Sequence, residues 1–228
     1  MVKVTFIGHS CFLLESDGHK IIIDPFITGN PVAKISENQK KVDFVLISHG
    51  HGDHLGDAIE IAKKSDAMVI SNYELSTYCE NQGVKKVHPL HIGGGNKFAF
   101  GSVKLTIAHH GSTLGEKLEY GGNPVGFIIR AGGKVIYHSG DTGVFMDMKL
   151  IGELDKIDLA LLPIGGNFTM DISDAVKAIE FLRPKKAIPM HYNTFDLIAC
   201  DPADFIKKIK QLGVEGIVLK PGESYELK

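Results

Sequence analysis

The chain of 228 residues has no tryptophan and only three cysteines, Cys11, Cys79 and Cys200. Three thiols cannot all pair, they lie far apart, and none has metal-ligand spacing, which argues against a disulfide scaffold or a thiolate metal site. They read as free thiols, small apolar side chains in or near the core of a protein in a reducing cytoplasm. No apolar run approaches the roughly 20 residues that a membrane helix needs. The start, Met1-Val2-Lys3-Val4-Thr5-Phe6, alternates like a strand and lacks the apolar core and cleavage site of a signal peptide. Charge of one sign is also missing: the formal net charge is −2, so no basic field draws nucleic acid. The pairs Lys63-Lys64, Lys85-Lys86 and Lys207-Lys208 are scattered and read as solvated faces. What is present is 43% hydrophobic residues with no low-complexity stretch or linker, enough for one domain over residues 1–228.

Strands and helices alternate along the chain. Residues 4–14 and 20–24 read as a hairpin across Ser16-Asp17-Gly18. Residues 42–48 form a nearly continuous apolar run, as in a strand buried on both faces, followed by a helix over 57–65 and a strand over 67–71. This is a β-α-β crossover. The second half repeats the plan, with strands at 103–108, 125–131, 135–138, 159–163 and 187–191 and a helix at 174–182. Asp24 and Asp141 end matching strands (141 − 24 = 117), and Asp57 and Asp174 open matching helices (174 − 57 = 117). The shared offset suggests two related β/α halves, about 1–92 and 97–228, with Gly93-Gly94-Gly95-Asn96 turning between them.

Chemistry concentrates in His49-Gly50-His51-Gly52-Asp53-His54, where four possible ligands fall within six positions between a buried strand and a helix. The two glycines allow tight backbone excursions that turn several side chains inward. Imidazole with carboxylate suits zinc, iron or manganese better than magnesium or calcium. A loop this short cannot surround a pair of ions, so further ligands must come from other strand ends. Candidates are His109 or His110 after 103–108, Asp141 after 135–138 and His191 after 187–190. Ligands of open α/β sheets gather beyond the carboxyl ends of strands, so the two halves are expected to share one cleft.

The signature His49-x-His51-x-Asp53-His54, with Ala108-His109-His110, Ser139-Gly140-Asp141-Thr142 and Pro189-Met190-His191 in that order, resembles the metallo-β-lactamase-fold hydrolases over essentially the whole chain. Gly8-His9-Ser10, Ile23-Asp24-Pro25-Phe26, Gly29-Asn30-Pro31 and Leu162-Pro163-Ile164-Gly165-Gly166 are similar to a narrower branch. That branch holds small stand-alone metal-dependent hydrolases like the L-ascorbate phosphate lactonases. The resemblance implies an α/β fold of the αβ/βα four-layer sandwich type. It implies two divalent ions, zinc first with manganese or iron as alternatives. His49, His51 and His110 would hold one; Asp53, His54 and His191 the other; Asp141 would bridge. His110 is preferred to His109 because the family places its ligand after an Ala-x step. The implied chemistry is attack of an activated hydroxide on a small ester, lactone or phosphodiester, with Asp53 orienting the nucleophile.

Other residues carry weaker expectations. His9 is a candidate substrate contact or a turn residue, Asp24 an orienter of a ligand histidine, and Asn30 and Thr169 pocket linings. His138 is a candidate support for Asp141, while His19, His88 and His91 read as surface residues. One departure stands out: Phe168-Thr169-Met170-Asp171 replaces the Phe-Thr-Met-Gly of many members of the branch. Asp171 either caps a helix beginning near Ser173 or enters the pocket and repels anions, which puts a phosphorylated-lactone preference in doubt. The absence of a domain-sized insertion between motifs favours a small-molecule substrate over nucleic acid; a homo-oligomer is allowed. Two alternatives share the fold: a mononuclear iron oxidoreductase of the persulfide dioxygenase type, and a metal-binding sensor without turnover. Flavin-linked di-iron relatives carry a glutamate where His51 stands and an added flavin domain, so that reading is disfavoured.

Overall fold

The computed structural model describes residues 1–36 and 39–228. Its first half runs β1 (Val2–Gly8), β2 (Cys11–Ser16), β3 (His19–Ile23), β4 (Phe44–Leu46), α1 (Gly52–Leu55), α2 (Ala58–Ser65), β5 (Met68–Asn72), α3 (Tyr73–Asn81) and β6 (Val87–Leu90). The second begins with β7 (Gly95–Phe98), β8 (Gly101–Ile107), the short pair β9 (Thr113–Leu114) and β10 (Glu119–Tyr120), β11 (Val125–Ala131) and β12 (Lys134–His138). It continues through α4 (Asp147–Leu154), β13 (Leu159–Pro163), α5 (Ile172–Leu182), β14 (Lys186–Met190), α6 (Pro202–Lys210), β15 (Glu215–Gly216) and β16 (Ser224–Leu227).

Two seven-stranded sheets carry the architecture, ordered β16-β1-β2-β3-β4-β5-β6 and β7-β8-β11-β12-β13-β14-β15. Read in those orders, both show three antiparallel pairings followed by three parallel ones. The strands alternate faces, as period-2 geometry requires. Ile21 and Ile23 point between the sheets while Ile22 points outward, and Phe127 and Ile129 do the same against Ile128. The inner faces meet in a core that includes Phe12, Leu14, Leu105, Phe127 and Leu161. Truncating one such fully buried ring, Phe127→Ala, costs about 3–5 kcal/mol. The outer face of the first sheet packs on Ala58, Ile61 and Ala62 of α2 and Leu75 and Cys79 of α3. The second packs on Met148 of α4, Ala175 and Ile179 of α5 and Phe205 of α6. The layers are therefore α, β, β, α.

The hairpin across residues 16–18 forms as read, with Ser16 opposite His19. The apolar run 4–14, however, is two strands rather than one, turning at His9-Ser10. Gly8 has φ 139°, and a Cβ there would lie 3.3 Å from both Ala33 Cα and Val32 Cγ2, so only glycine suits the turn's first corner. Four helices fall outside the sequence reading: the single-turn α1, and α3, α4 and α6. α3 is capped by Asn72, whose side chain accepts from Leu75 N, and α6 by Asp201 ahead of Pro202. On α4 the apolar Leu150 and Leu154 lie at the surface, which blurs the amphipathic pattern. The last strand, β16, crosses the division near residue 97 to pair with β1, Val2 opposite Leu227. Cys11 and Cys79 are buried, Cys200 partly so, and all three are free. No helix of the described residues is long and apolar enough to cross a membrane.

Candidate metal centre

The ligand-dense loop leaves β4 through Ser48 and is set by Asp24, the residue after β3. Asp24 is fully buried; its Oδ1 accepts from Ser48 N at 2.7 Å and its Oδ2 from Ser48 Oγ at 2.6 Å. His54 Nδ1 donates to the same Oδ2 at 2.8 Å. The Ser48 hydroxyl has one proton, already given to Asp24, so it must accept from His49 Nδ1 at 3.0 Å. One carboxylate thereby fixes the Nδ1 protons of two histidines and turns both Nε2 atoms to the cleft, that of His49 lying 3.0 Å from His51 Nδ1 and that of His54 3.2 Å from Asp141 Oδ2. Close packing also holds the loop: a Cβ at Gly50 would come within 2.8 Å of Thr113 O.

The donor atoms fall into three overlapping groups, each with its members within 4.8 Å of one another. These are His49, His51 and His110; His9, Asp53, His54 and His191; and His49, His54 and Asp141. Asp141 spans the site, its Oδ2 lying 2.9 Å from His191 Nε2, 3.2 Å from His54 Nε2 and 3.7 Å from His110 Nε2. Asp53 Oδ2 sits 3.9 Å from His191 Nε2 and 4.0 Å from His54 Nε2. Three residues of this region, His9, Asp24 and His191, have positive φ (59°, 45° and 52°), a backbone strain that tends to cluster at functional sites.

Electrostatics follow from burial and neighbours. Burial pushes the imidazoles of His49, His51 and His110 below the ordinary histidine range, which keeps them neutral. Burial would do the same to His54, but the carboxylates of Asp141 and Asp24 outweigh it and raise His54 well above that range. Burial would raise the Asp141 and Asp53 carboxyls. Instead His191 and His54 hold Asp141, and the hydrogen bond from His9 with the charge of His54 holds Asp53, well below the usual carboxylate range. Burial lowers His9 itself to about 4.

His54 Nε2, Asp141 Oδ1 and His191 Nδ1 are buried with no hydrogen-bond partner. With Nδ1 donating to Asp24, His54 Nε2 turns a lone pair toward a carboxylate oxygen. That arrangement needs a proton or a cation between the two atoms. Imidazoles, that of His54 once an ion displaces its proton, with two low-lying carboxylates are the donor set of zinc, iron and manganese, so the residues fit such ions.

The structure brings His49, His51, Asp53, His54, His110, Asp141 and His191 together. His109 stays out, with its ring stacked on Phe145 at 4.7 Å. His9 lies inside the site beside Asp53, and Asp24 lies behind it. Asn30 stands apart, its amide group committed to Phe26 O and Val32 N in its own loop. The hydroxyl of Thr169 is directed at Met170 O. Asp171 caps α5, accepting from Asp174 N at 2.9 Å, which places Asp174 in the helix's first turn. His138 is buried, its Nε2 donating to Ser10 O and its Nδ1 accepting from Gly140 N, both at 3.1 Å. Two participants escaped the sequence reading. Ser48 had only its adjacency to His49 as a signal, and Thr194, which bonds His9 Nδ1 at 2.9 Å, had none.

The family model described as beta-lactamase superfamily domain matches residues 3–191. A UPF0173 metal-dependent hydrolase of Carboxydothermus hydrogenoformans is 55% identical over 223 residues, 97% of this chain and 98% of the relative. Another from Pelotomaculum thermopropionicum is 54% identical over 230 residues, 99% of this chain and 100% of the relative. Among solved structures, Igni18, a metallo hydrolase from the hyperthermophilic archaeon Ignicoccus hospitalis, aligns with a TM-score of 0.89 at 42% identity, over 100% of this chain and 99% of its own.

Proposed function

The chain belongs to the beta-lactamase superfamily as a metal-dependent hydrolase, and from that premise we propose that it acts through two divalent ions on a small ester, lactone or phosphodiester. His49, His51 and His110 would hold the first ion and Asp53, His54 and His191 the second, with Asp141 shared between the two sets. Zinc suits the histidine-rich set best, with manganese or iron as alternatives. The observation that carries this reading is Asp141, a buried carboxylate within 3.7 Å of histidines from both groups and with one oxygen left unpartnered. Free cysteines agree with a cytoplasmic setting.

When bound, the ions supply Lewis acidity and bring the pKa of the attacking water toward roughly 7. The protein's own groups do the rest. Asp53 is held ionised and is therefore a weak base, better suited to orienting the nucleophile than to removing its proton. Its side chain is 31% exposed, so it stands at the solvent-facing edge of the site, where substrate arrives. Phe26 and Phe195 lie edge-on to His9 at 5.7 and 5.6 Å, and offer an apolar wall to an acyl or aryl part of the substrate. The Asp171 carboxylate is engaged in capping α5 rather than in a contact with the proposed ligands.

The test is a panel of phosphodiesters, lactones and thioesters, with protein reconstituted separately with zinc, manganese and iron and the bound metal counted. Turnover of at least one class, lost in Asp53→Ala, is the expected result. Hydrolysis unchanged in Asp53→Ala contradicts the assignment, and oxygen uptake by the iron-loaded protein indicates the persulfide dioxygenase chemistry instead.

A further inference from the structure

We propose that the Gly8-His9-Ser10 turn is the positioning device of the second ion's site, with His9 acting through Asp53 and His191 rather than on substrate. The inference rests on the two-ion reading above. His9 is 1% exposed, and both ring nitrogens are already engaged by protein, Nδ1 with Thr194 Oγ1 at 2.9 Å and Nε2 with Asp53 Oδ2 at 3.1 Å. No nitrogen is left to meet a substrate. An ionised Asp53 accepts only, so His9 Nε2 carries the proton and donates. The Nδ1 of the neutral ring must then accept, and the buried Thr194 hydroxyl donates to it. Thr194 thereby selects the tautomer that holds Asp53.

The same turn reaches the other half of the chain through its backbone. His9 O accepts from His191 N at 2.8 Å, and the two rings pack with centroids 4.0 Å apart. Ser10 O accepts from His138 Nε2, and His138 Nδ1 accepts from Gly140 N, next to Asp141. Three of the proposed ligands, from both halves, are thus referenced to one two-residue turn. Histidine sits there with φ 59°, at a corner that glycine fills in most tight hairpins, and these contacts hold it. Among the described residues no hydrogen bond or ring contact joins the turn to His49, His51 or His110. The consequence is selectivity: removing the His9 ring should weaken the second ion and spare the first.

The experiment measures metal count and chelator-competition affinity for Zn(II) and Co(II), with circular dichroism and thermal melts confirming the fold. Wild type should hold two ions per chain. In His9→Phe the second ion should weaken by roughly 10- to 100-fold while the first changes little. His9→Gln, whose amide N–H can donate to Asp53, should recover most of the loss. Thr194→Val should weaken the second ion by about tenfold, and Thr194→Ser should restore it. The Co(II) spectrum of His9→Phe should change at one site without the loss of an imidazole ligand. Two ions bound as in wild type, both ions lost equally in a folded variant, or the loss of an imidazole ligand at the second ion each overturn the proposal. If His9→Phe does not fold, the shape-preserving Thr194→Val decides by the same selectivity. Fewer than two ions in wild type sinks the two-ion reading and this inference with it, whereas two in wild type with an indifferent His9→Phe sinks the inference alone.

Discussion

Asp24 and Asp141 both lie just beyond the second strand of an antiparallel hairpin that then pairs in parallel with the next strand. The register, however, matches Asp24 with Ser139, since Asp24 N donates to Leu46 O and Ser139 N to Leu161 O, so the offset of 117 read from the sequence is not the structural one. Both aspartates are buried, yet their surroundings differ. Asp24 is surrounded by donors of the protein: Ser48 N, Ser48 Oγ and His54 Nδ1. Asp141 faces three histidine Nε2 atoms and keeps Oδ1 without a partner. Carboxylates at similar strand ends therefore serve two purposes, orienting histidines in the first half and, in the proposed site, acting as a ligand in the second. The strand ends bring both carboxylates to the cleft, and the neighbouring residues decide their use.

Breaking Asp141 should have the largest effect. Asp141→Asn removes the charge shared by both groups, and kcat/KM on the best substrate of the panel should fall by about a thousandfold or more, several kcal/mol of lost charge stabilisation. Steady-state kinetics with parallel metal counts measure it, and a loss below tenfold would place Asp141 outside the reaction. Asp24→Asn should be milder and of another kind. The amide turns an N–H toward one of the three donors, so His49 and His54 lose their fixed tautomers. Both ions should then weaken by roughly 10- to 100-fold in chelator competition. Weakening of one ion alone would show that Ser48 does not relay to His49.

The pH dependence sharpens the same contrast. His54 is raised because Asp141 and Asp24 both face it, so near neutral pH the metal-free protein keeps a proton that an ion must displace. His49, His51 and His110 are lowered and have no proton to give. Titration calorimetry in buffers of differing ionisation enthalpy should show proton release on loading at neutral pH, diminishing in Asp24→Asn. For the metal-free fold the signs run opposite ways. The His54 contribution is full below about 6.5 and lost as pH rises through its raised value. The lowered His9 costs stability as pH falls from about 6.5 toward about 4, since the unfolded chain takes up a proton that the buried ring refuses. Melts of metal-free protein should therefore drop on both sides of neutrality.

The smallest effect is expected at the start of α5. Asp57, ahead of α2, uses its carboxylate on Ile27 N, Thr28 N and Thr28 Oγ1, whereas Asp171 caps its own helix. Asp171→Gly should cost at most about 1 kcal/mol, a Tm shift of roughly 2–4 °C, with activity unchanged. A change in substrate preference would instead place Asp171 at the pocket.

Much of the fold was legible because its strands are buried on both faces and read as apolar runs: residues 125–131 and 159–163 coincide with β11 and β13. The break at Gly8-His9-Ser10 was not, since it interrupts an apolar run by left-handed backbone rather than by polarity. Nor was β16, whose partner β1 lies at the other end of the chain. At the site, ligand types packed at strand ends announced themselves. The atoms that orient them did not: Ser48 and Thr194 are ordinary hydroxyls given meaning only by contacts that span the sequence, His9 to Thr194 being 185 residues apart.

Counting bound metal in wild type beside Asp141→Asn tests the central claim most directly. Two ions per wild-type chain, with both sites weakened together in Asp141→Asn, is the result the account predicts. One ion or fewer in wild type under every metal offered, or two ions held undiminished without the Asp141 carboxylate, would contradict it.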